Sequence, residues 1–116
     1  MGSIKAELSK ATTNPEFRCI TVLLDVKNEG SLKNMVTETV KEFGRIDYAV
    51  NCAGVGLKKP FTEMEMKDWG EMIGNNLTGV FCCVKEEALQ MMKQEQRQNS
   101  RYVNIHSIQV KLMTLM

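Results

Sequence analysis

The sequence predicts an α/β fold built around a doubly wound parallel sheet. Strand-like and helical patterns alternate along the 116 residues, without repeats or low-complexity linkers. The runs FRCITVLLDV and IDYAVN are apolar and rich in β-branched residues, which is typical of strands buried on both faces of a parallel sheet. A third run, RYVNIHS, also has strand character. Strands separated by helices form βαβ units, so we expect the three strands to be parallel.

The first helix and the first strand are predicted within the first 26 residues. SIKAELSKA is polar and compatible with a helix, and the following TTNPE interrupts it. The strand FRCITVLLDV then reaches its carboxyl end at Asp25.

The next helix has clear start and stop signals. Asn28 is the expected N-cap, and Gly44 follows the last helical residue. Between them, SLKNMVTETVKEFG places apolar side chains at steps of three and four, which indicates an amphipathic helix. These side chains are Leu32, Met35, Val36, Val40 and Phe43.

A long helix is predicted from Met66 to about Gln96. Thr62 and Glu65 have the spacing of a capping box at its start. Gly74 and Gly79 lower its helix propensity, which suggests close packing or a nearby ligand. Its apolar positions are Trp69, Met72, Ile73, Leu77, Val80, Phe81, Val84, Ala88, Leu89 and Met92.

Composition narrows the functional classes. The charge is balanced, with 15 basic and 14 acidic residues, and the basic residues are not clustered. We therefore expect neither a nucleic-acid partner nor a polybasic membrane anchor. The four cysteines form no CxxC pair and lie in apolar segments, which favours a reducing compartment and no metal site. No signal sequence or membrane-spanning run is present, so we expect a cytoplasmic protein with a small-molecule substrate.

The ends of the predicted strands carry the polar residues of functional interest. Ligands of doubly wound sheets bind beyond the carboxyl ends of the strands. Asp25, the NCAG segment at 51–54 and the NIHS segment at 104–107 occupy those ends. Each has an ordinary alternative, because Asp commonly forms a turn or an N-cap and Asn–Gly segments shape tight turns. A phosphate-binding GxGxxG is not formed, since Lys59 stands where the third glycine is required.

Three single residues have open interpretations. His106 is the only histidine, and a lone histidine is more often a packed or surface side chain than a catalytic base. Ser107 has no GxSxG surroundings, which argues against a hydrolase nucleophile. Asn76 falls on the apolar face between Ile73 and Leu77, so it needs hydrogen-bond partners, and a structural water site is an alternative explanation.

The order of these motifs resembles the short-chain dehydrogenase/reductase family, a Rossmann-fold group of nicotinamide-dependent oxidoreductases. The resemblance runs from about Ala6 to Ser107. It rests on DV at 25–26, NCAG against the family's NNAG, NLTGVF at 76–81, and YVNIHS against IVNISS. It implies one incomplete NAD(P)-binding Rossmann-type domain over residues 1–116, holding strands 3, 4 and 5 of the family sheet.

The resemblance also implies residue roles. Asp25 and Val26 would flank the adenine ring, while Asn51, Ala53 and Gly54 would line the adenosine and ribose side of NADP or NAD. These residues and Lys85, in a helix position that is often basic, would form the cofactor site. Asn76 and Ser107 would be the catalytic residues. Asn76 would hold a water of the proton relay, and Ser107 would hydrogen-bond the substrate carbonyl or alcohol.

Two family motifs are missing from the sequence. Neither the TGxxxGxG loop nor the YxxxK acid/base pair is present, and Tyr48 and Tyr102 lie in unrelated positions. We therefore expect a truncated, catalytically impaired fragment of a carbonyl reductase or alcohol dehydrogenase. With strands 1 and 2 missing, the first strand is expected to pair abnormally beside IDYAVN or to remain an exposed, aggregation-prone edge.

Two other functional interpretations stay open. One is a non-catalytic protein that associates with a full-length relative, or with itself, through the long helix that contains Asn76. The other is an incomplete gene model without independent function.

Overall fold

The computed structural model describes residues 2–95 and 101–104. Four α-helices and two strands make up most of this part of the chain. In order they are α1 (Gly2–Ala11), α2 (Glu29–Phe43), β1 (Tyr48–Asn51), a 3₁₀ turn (Phe61–Glu63), α3 (Met66–Ile73), a π-helical segment (Gly74–Gly79), α4 (Val80–Lys93) and β2 (Arg101–Asn104). No helix among the described residues is long and apolar enough to cross a membrane.

The sheet consists of β1 and β2, which pair in parallel. Tyr48 lies opposite Arg101, and Asn51 lies opposite Asn104. The predicted parallel crossover through the long helix is therefore confirmed for these two strands. Residues 105–107, the rest of the predicted third strand, lie outside the described part of the chain.

The predicted first strand does not form. Residues 17–25 have no strand structure, and the side chain of Leu23 is 83% exposed. Leu24 lies partly buried against the buried pair Val26 and Leu32, so one side of the run packs while the other faces outward. A strand needs a hydrogen-bonded neighbour, and β2 is the neighbour of β1 in the described sheet. The run accordingly remains an exposed apolar segment, the second of the two expected outcomes.

Burial on both faces is also wrong for β1. Ala49 and Asn51 are buried, whereas Tyr48 and Val50 are 64% and 60% exposed. Alternate side chains of a strand point to opposite faces, and α4 contacts this strand. The described helices thus cover one face of the sheet.

Helix α2 has the caps that its sequence predicts. The side chain of Asn28 accepts a hydrogen bond from the Ser31 backbone N–H at 3.0 Å. At the other end, Gly44 adopts a left-handed conformation with φ 84° and donates its N–H to the Val40 carbonyl. A side chain at this φ would be strained, which explains the glycine.

The start of α3 differs from the prediction. Thr62 lies in the 3₁₀ turn instead of capping the helix. The N-cap is Glu65, and the Asp68 carboxylate accepts the backbone N–H of Glu65 at 3.0 Å. Asp68 also pairs with Lys59 at 2.7 Å. The capping box is therefore displaced by three residues: Asp68 accepts the N–H of Glu65, whereas Glu65 was expected to accept the N–H of Thr62.

The core lies where α2, α4 and β1 meet. One cluster contains Val26, Leu32 and Cys83, and the other contains Val36, Ile46, Ala49 and Met91. Helix α4 buries Val80, Cys83, Glu87 and Met91. The side chains of Leu77, Phe81 and Met92, which belong to the apolar pattern of the predicted long helix, are 60%, 65% and 76% exposed. The helix is thus oriented differently from its apolar pattern, and one buried position holds a carboxyl group.

Candidate functional site

Asp25 ends the extended segment in a tight turn. Its Oδ1 accepts the Lys27 backbone N–H at 3.0 Å, and its own N–H donates to the Ser31 hydroxyl at 2.9 Å. The residue remains exposed. By contrast, Val26 is only 9% exposed and packs against Leu32. The turn therefore presents the Asp25 carboxylate to the outside while Val26 fixes it to the core.

Lys27 connects this turn to α3. Its Nζ lies 2.8 Å from the Glu71 carboxylate. The hydrogen bond with Glu71 raises the pKa of Lys27, and the same bond lowers the pKa of Glu71. Asn75 also donates its side-chain amide to the Glu71 carboxylate and to its backbone carbonyl. Because the pair is exposed, its main effect is to orient the turn against the helix.

Asn76 holds the loop that follows β1. Its Oδ1 accepts the Val55 N–H at 2.7 Å, and its Nδ2 donates to the Val55 carbonyl at 2.9 Å. A Cβ atom added to Gly54 would lie 3.2 Å from Asn76 Oδ1, so the loop backbone passes close to this side chain. The sequence required hydrogen-bond partners for Asn76, and the Val55 peptide groups supply them.

One helical stretch, 71–79, therefore contacts both the turn after the extended segment and the loop after β1. Glu71 binds the turn after the extended segment through Lys27. Val55, after β1, is bound through Asn76. Gly79 packs against Val26, since an added Cβ would lie 2.8 Å from the Val26 Cγ2. The stretch includes the π-helical turn, a feature frequent at functional sites.

Asn51 ends β1 beside a buried carboxyl group. Its Nδ2 donates to Glu87 Oε2 at 2.9 Å, and the two residues are 8% and 6% exposed. Burial raises the pKa of Glu87, and the Asn51 hydrogen bond opposes that shift. Cys83 lies one helical turn earlier, where burial, followed by the nearby Glu87, raises its thiol pKa to about 11. The Cys83 thiol is therefore protonated at neutral pH and is not a nucleophile.

The other predicted cofactor-binding residues fall into two places. Ala53 and Gly54 are exposed in the loop after β1. Lys85 is exposed in a groove of about 450 Å³ between α2 and α4, which it shares with Glu29 and Lys33. The loop after β1 and the Asp25 turn thus both contact the helical stretch 71–79. Lys85 instead lines the groove between α2 and α4.

Ser107 and His106 lie outside the described residues. The catalytic role of Ser107 therefore remains a prediction. Because Asn51 and Asn104 are register partners, the carboxyl ends of β1 and β2 meet at the same edge of the sheet.

The turn at Asp25 and the loop after β1 offer exposed polar groups of the kind that an adenosine could bind. The exposed Asp25 carboxylate is available to accept a hydrogen bond from an exocyclic amine. Residues 52–54 are exposed, and the Asp25 turn and the loop after β1 are held to one helical stretch. No glycine-rich loop for the pyrophosphate is present in the sequence.

Replacing Asn76 tests its role in holding the loop. We expect Asn76→Ala to reduce the hydrogen-exchange protection of the Val55 amide by about tenfold, because two hydrogen bonds are lost at about 0.5–1.5 kcal/mol each. Asn75→Ala is the matched control, since Asn75 bonds to Glu71 on its own helix. Equal protection of Val55 in both variants would show that Asn76 does not hold the loop.

Sequence reasoning missed Glu87 and the Lys27–Glu71 pair. Glu87 follows Cys83 by four residues and precedes Met91 by four, so it lies on the same helix face as two buried side chains. That spacing was a usable signal for a buried carboxyl group. The Lys27–Glu71 contact joins residues 44 positions apart and has no local sequence signal.

Comparisons with known proteins agree on one family. The short chain dehydrogenase family model matches residues 3–114. The short-chain dehydrogenase anuF of Penicillium roqueforti is 37% identical over 90 residues, covering 76% of this chain and 33% of that protein. A 3-oxoacyl-[acyl-carrier-protein] reductase of Synechocystis is 36% identical over 89 residues, covering 77% and 35%.

A solved structure is similar as well. The structure titled "ElxO with NADP Bound" is 37% identical with a TM-score of 0.56, covering 60% of this chain and 29% of that one. The chain spans about a third of the length of the relatives it matches. Its two parallel strands and connecting helices are part of an α/β fold of the Rossmann type. The family match covers nearly all of the sequence, and the chain belongs to the short-chain dehydrogenase family.

Proposed function

We propose that this chain is part of an NAD(P)-dependent oxidoreductase that interconverts a carbonyl compound and a secondary alcohol. Its residues would supply the adenosine end of the cofactor site and two members of the catalytic group. The substrate is a small molecule, and we place the activity in the cytoplasm. The chain itself is a catalytically impaired portion of such an enzyme.

The observation that carries this proposal is that one helical stretch supports both the turn that follows the extended segment and the loop that follows β1. Asp25 and the 51–54 segment are far apart in sequence, yet their neighbours Lys27 and Val55 are both bonded to the helical stretch 71–79. A dinucleotide would need such an arrangement, because its adenine and ribose must be held simultaneously, with the ribose beyond the carboxyl end of β1. Asp25 would accept the adenine amine, and the backbone at Ala53 and Gly54 would face the ribose.

The residues of the chain would orient the substrate and its proton source. The bound nicotinamide supplies or accepts a hydride at the reacting carbon. Ser107 would hydrogen-bond the substrate oxygen and stabilise the charge that develops there. Asn76 fixes the loop after β1, and in its relay role it would hold a water. The Oδ1 and Nδ2 atoms of Asn76 already bind the Val55 backbone, so this water would be held in addition to those two hydrogen bonds.

The relatives support a nicotinamide cofactor and a carbonyl substrate. ElxO was solved with NADP bound, and the Synechocystis relative is a 3-oxoacyl reductase. The proton donor of the family, the tyrosine of YxxxK, is absent from this sequence. Positioned acid/base groups contribute about 10²–10⁴-fold in rate. We therefore expect no measurable NADPH oxidation from the purified 116-residue chain.

Nucleotide binding tests the proposal without requiring turnover. We expect AMP and NADP⁺ to shift the ¹⁵N amide signals of 25–27 and 51–55 in the purified chain. Asp25→Ala should weaken AMP binding by about tenfold, since a hydrogen bond to a charged group contributes about 1.5–3 kcal/mol. Glu38→Ala is the control, because Glu38 pairs with Lys41 on α2.

Comparing Asp25→Ala with Glu38→Ala distinguishes a specific adenine contact from a general effect of removing a negative charge. Equal weakening by Asp25→Ala and Glu38→Ala would contradict an adenine contact at Asp25. Shifts confined to the α2–α4 groove around Lys85 would place the nucleotide elsewhere. No shift at millimolar AMP or NADP⁺ would overturn the cofactor-binding proposal for this chain.

A second function is favoured by one surface. Leu77, Phe81 and Met92 form an exposed apolar stripe along the helix from the π-helical segment through α4. This supports a non-catalytic protein that associates with a full-length relative or with itself. Coprecipitation of the chain with a full-length short-chain dehydrogenase, lost on Phe81→Glu, would support it. Absence of any complex would remove it.

A further inference from the structure

We propose that Glu87 is a positioning residue for the cofactor end of β1, which it sets by fixing the side-chain amide of Asn51 from inside the core. The inference deepens the proposed function and rests on it for the identity of the ligand. Its geometric basis is independent, because the Asn51–Glu87 contact is present in the structure.

The first step is the burial of the pair. A buried carboxyl group without a partner is strongly unfavourable, so its partner must be retained. Asn51 Nδ2 is 2.9 Å from Glu87 Oε2, and both residues are less than 9% exposed. Glu87 follows Cys83 in the buried stripe of α4, a rigid element with its own core contacts. The orientation of the Asn51 side chain is therefore set by a helix and not by solvent.

The second step links Asn51 to the loop. Asn51 is the last residue of β1, and the exposed loop begins at Cys52. Three residues beyond Cys52, Val55 is held by Asn76. The backbone of 52–54 is thus a short span between Asn51, whose side chain is bound by Glu87, and Val55, which is bound by Asn76. Loss of either contact would release the residues proposed to face the ribose.

The third step is the electrostatic surroundings of Glu87. Neutral Asn51 faces it from β1, and Cys83 lies one turn earlier on α4. From α2, Glu29 and Lys33 pair with each other and act on Lys85 and Glu86, which line the groove. No positively charged partner of Glu87 is found among residues 5–95, where side chains are described.

The protonation of Glu87 therefore affects the site. Because burial raises the pKa of Glu87 in the folded chain, folding favours its protonated form. Its contribution is most favourable below the ordinary carboxyl pKa, and it declines as pH rises through the raised value. Glutamine has the same shape without this titration. Glu87→Gln should accordingly lose this pH dependence while keeping an oxygen that accepts from Asn51.

The experiment follows the Asn51 side-chain amide by NMR between pH 4 and 9 in the 116-residue chain. We expect its Nδ2 protons to shift along a titration that disappears in Glu87→Gln and persists in Glu86→Gln. Glu86 is the matched control, because it is the adjacent carboxyl residue but lines the α2–α4 groove. A purely packing role for Glu87 would leave no titration for Glu87→Gln to remove.

A second variant removes the hydrogen-bond acceptor. We expect Glu87→Leu to reduce the exchange protection of the Val55 amide at least fivefold and to abolish AMP-induced shifts at 51–54, whereas Glu87→Gln retains both. Circular dichroism establishes that each variant keeps its helices. If Glu87→Leu does not fold, the Asn51 titration in Glu87→Gln decides the question.

The outcomes distinguish the two proposals. If the wild-type chain binds no nucleotide but Asn51 follows the Glu87 titration, the positioning role stands and the cofactor proposal fails. A chain that binds AMP while Asn51 shows no such titration would keep the cofactor proposal and overturn the positioning role. A folded Glu87→Leu variant with unchanged Val55 protection and AMP shifts would also overturn it.

Discussion

Leu32→Ala is expected to destabilise the helical core by about 2–5 kcal/mol, the cost of removing a buried leucine side chain and leaving a cavity. Leu32 is 0% exposed and is the largest fully buried side chain among the described residues. It packs with Val26 and Cys83, so it joins the turn after the extended segment to α4. We expect the free energy that protects the amides of α2 and α4 from hydrogen exchange to fall by this amount.

The matched control is Leu23→Ala. Leu23 is 83% exposed in the unpaired apolar segment, so its replacement should change the same protection by less than about 0.5 kcal/mol. It removes the same atoms as Leu32→Ala, but from the exposed extended segment instead of from α2. Equal effects of the two substitutions would mean that the Val26–Leu32–Cys83 cluster is not the stabilising core. A small effect of Leu32→Ala alone would have the same meaning.

Local signals were sufficient to predict α2. The Asn28 cap, the apolar steps and Gly44 all act within a few residues of the helix, and each is found in the structure. The same holds for β1 and its parallel partner, because a strand, a helix and a strand in succession favour one topology. Here the local preferences and the observed packing agree.

The extended segment shows where local signals stop. Residues 17–25 have the composition of a buried strand, but strand formation depends on a neighbour that supplies backbone hydrogen bonds. An apolar composition shows that a segment is suited to burial, but it does not supply the neighbour. In the described part of the chain, residues 17–25 pack on one side only. For the same reason Tyr48 and Val50, also suited to burial, remain exposed.

The candidate site was predictable in part. A polar Asn76 on an apolar helix face had to find partners, and the family resemblance singled out the strand ends. What could not be read from the sequence is which backbone Asn76 binds, because Val55 lies 21 residues away in an exposed loop. Glu87 was also overlooked. The apolar pattern of the long helix favoured a face that includes Ala88, whereas the buried face includes Cys83, Glu87 and Met91.

Gly79→Val is expected to be the second strongly destabilising change, at about 3 kcal/mol, near the upper end for overpacking a core. A Cβ atom at position 79 would lie 2.8 Å from Val26 Cγ2 and 3.1 Å from the Gly74 carbonyl oxygen. Gly79 is buried in the π-helical segment, so the added methyl groups cannot turn toward solvent. The sequence predicted close packing at Gly79 or a nearby ligand, and the structure shows the close packing.

Gly79→Val should also affect nucleotide binding, because the added side chain would displace Val26. Val26 follows Asp25 directly, so moving it away from Gly79 would also move the carboxylate proposed to bind adenine. We expect Gly79→Val to weaken AMP binding along with the exchange protection of α4. Gly70→Val is the control, because a Cβ at position 70 meets nothing within 4 Å and should change protection by less than about 0.5 kcal/mol. Gly79→Val with unchanged protection would show that Val26 and the helix do not pack as closely as these distances require.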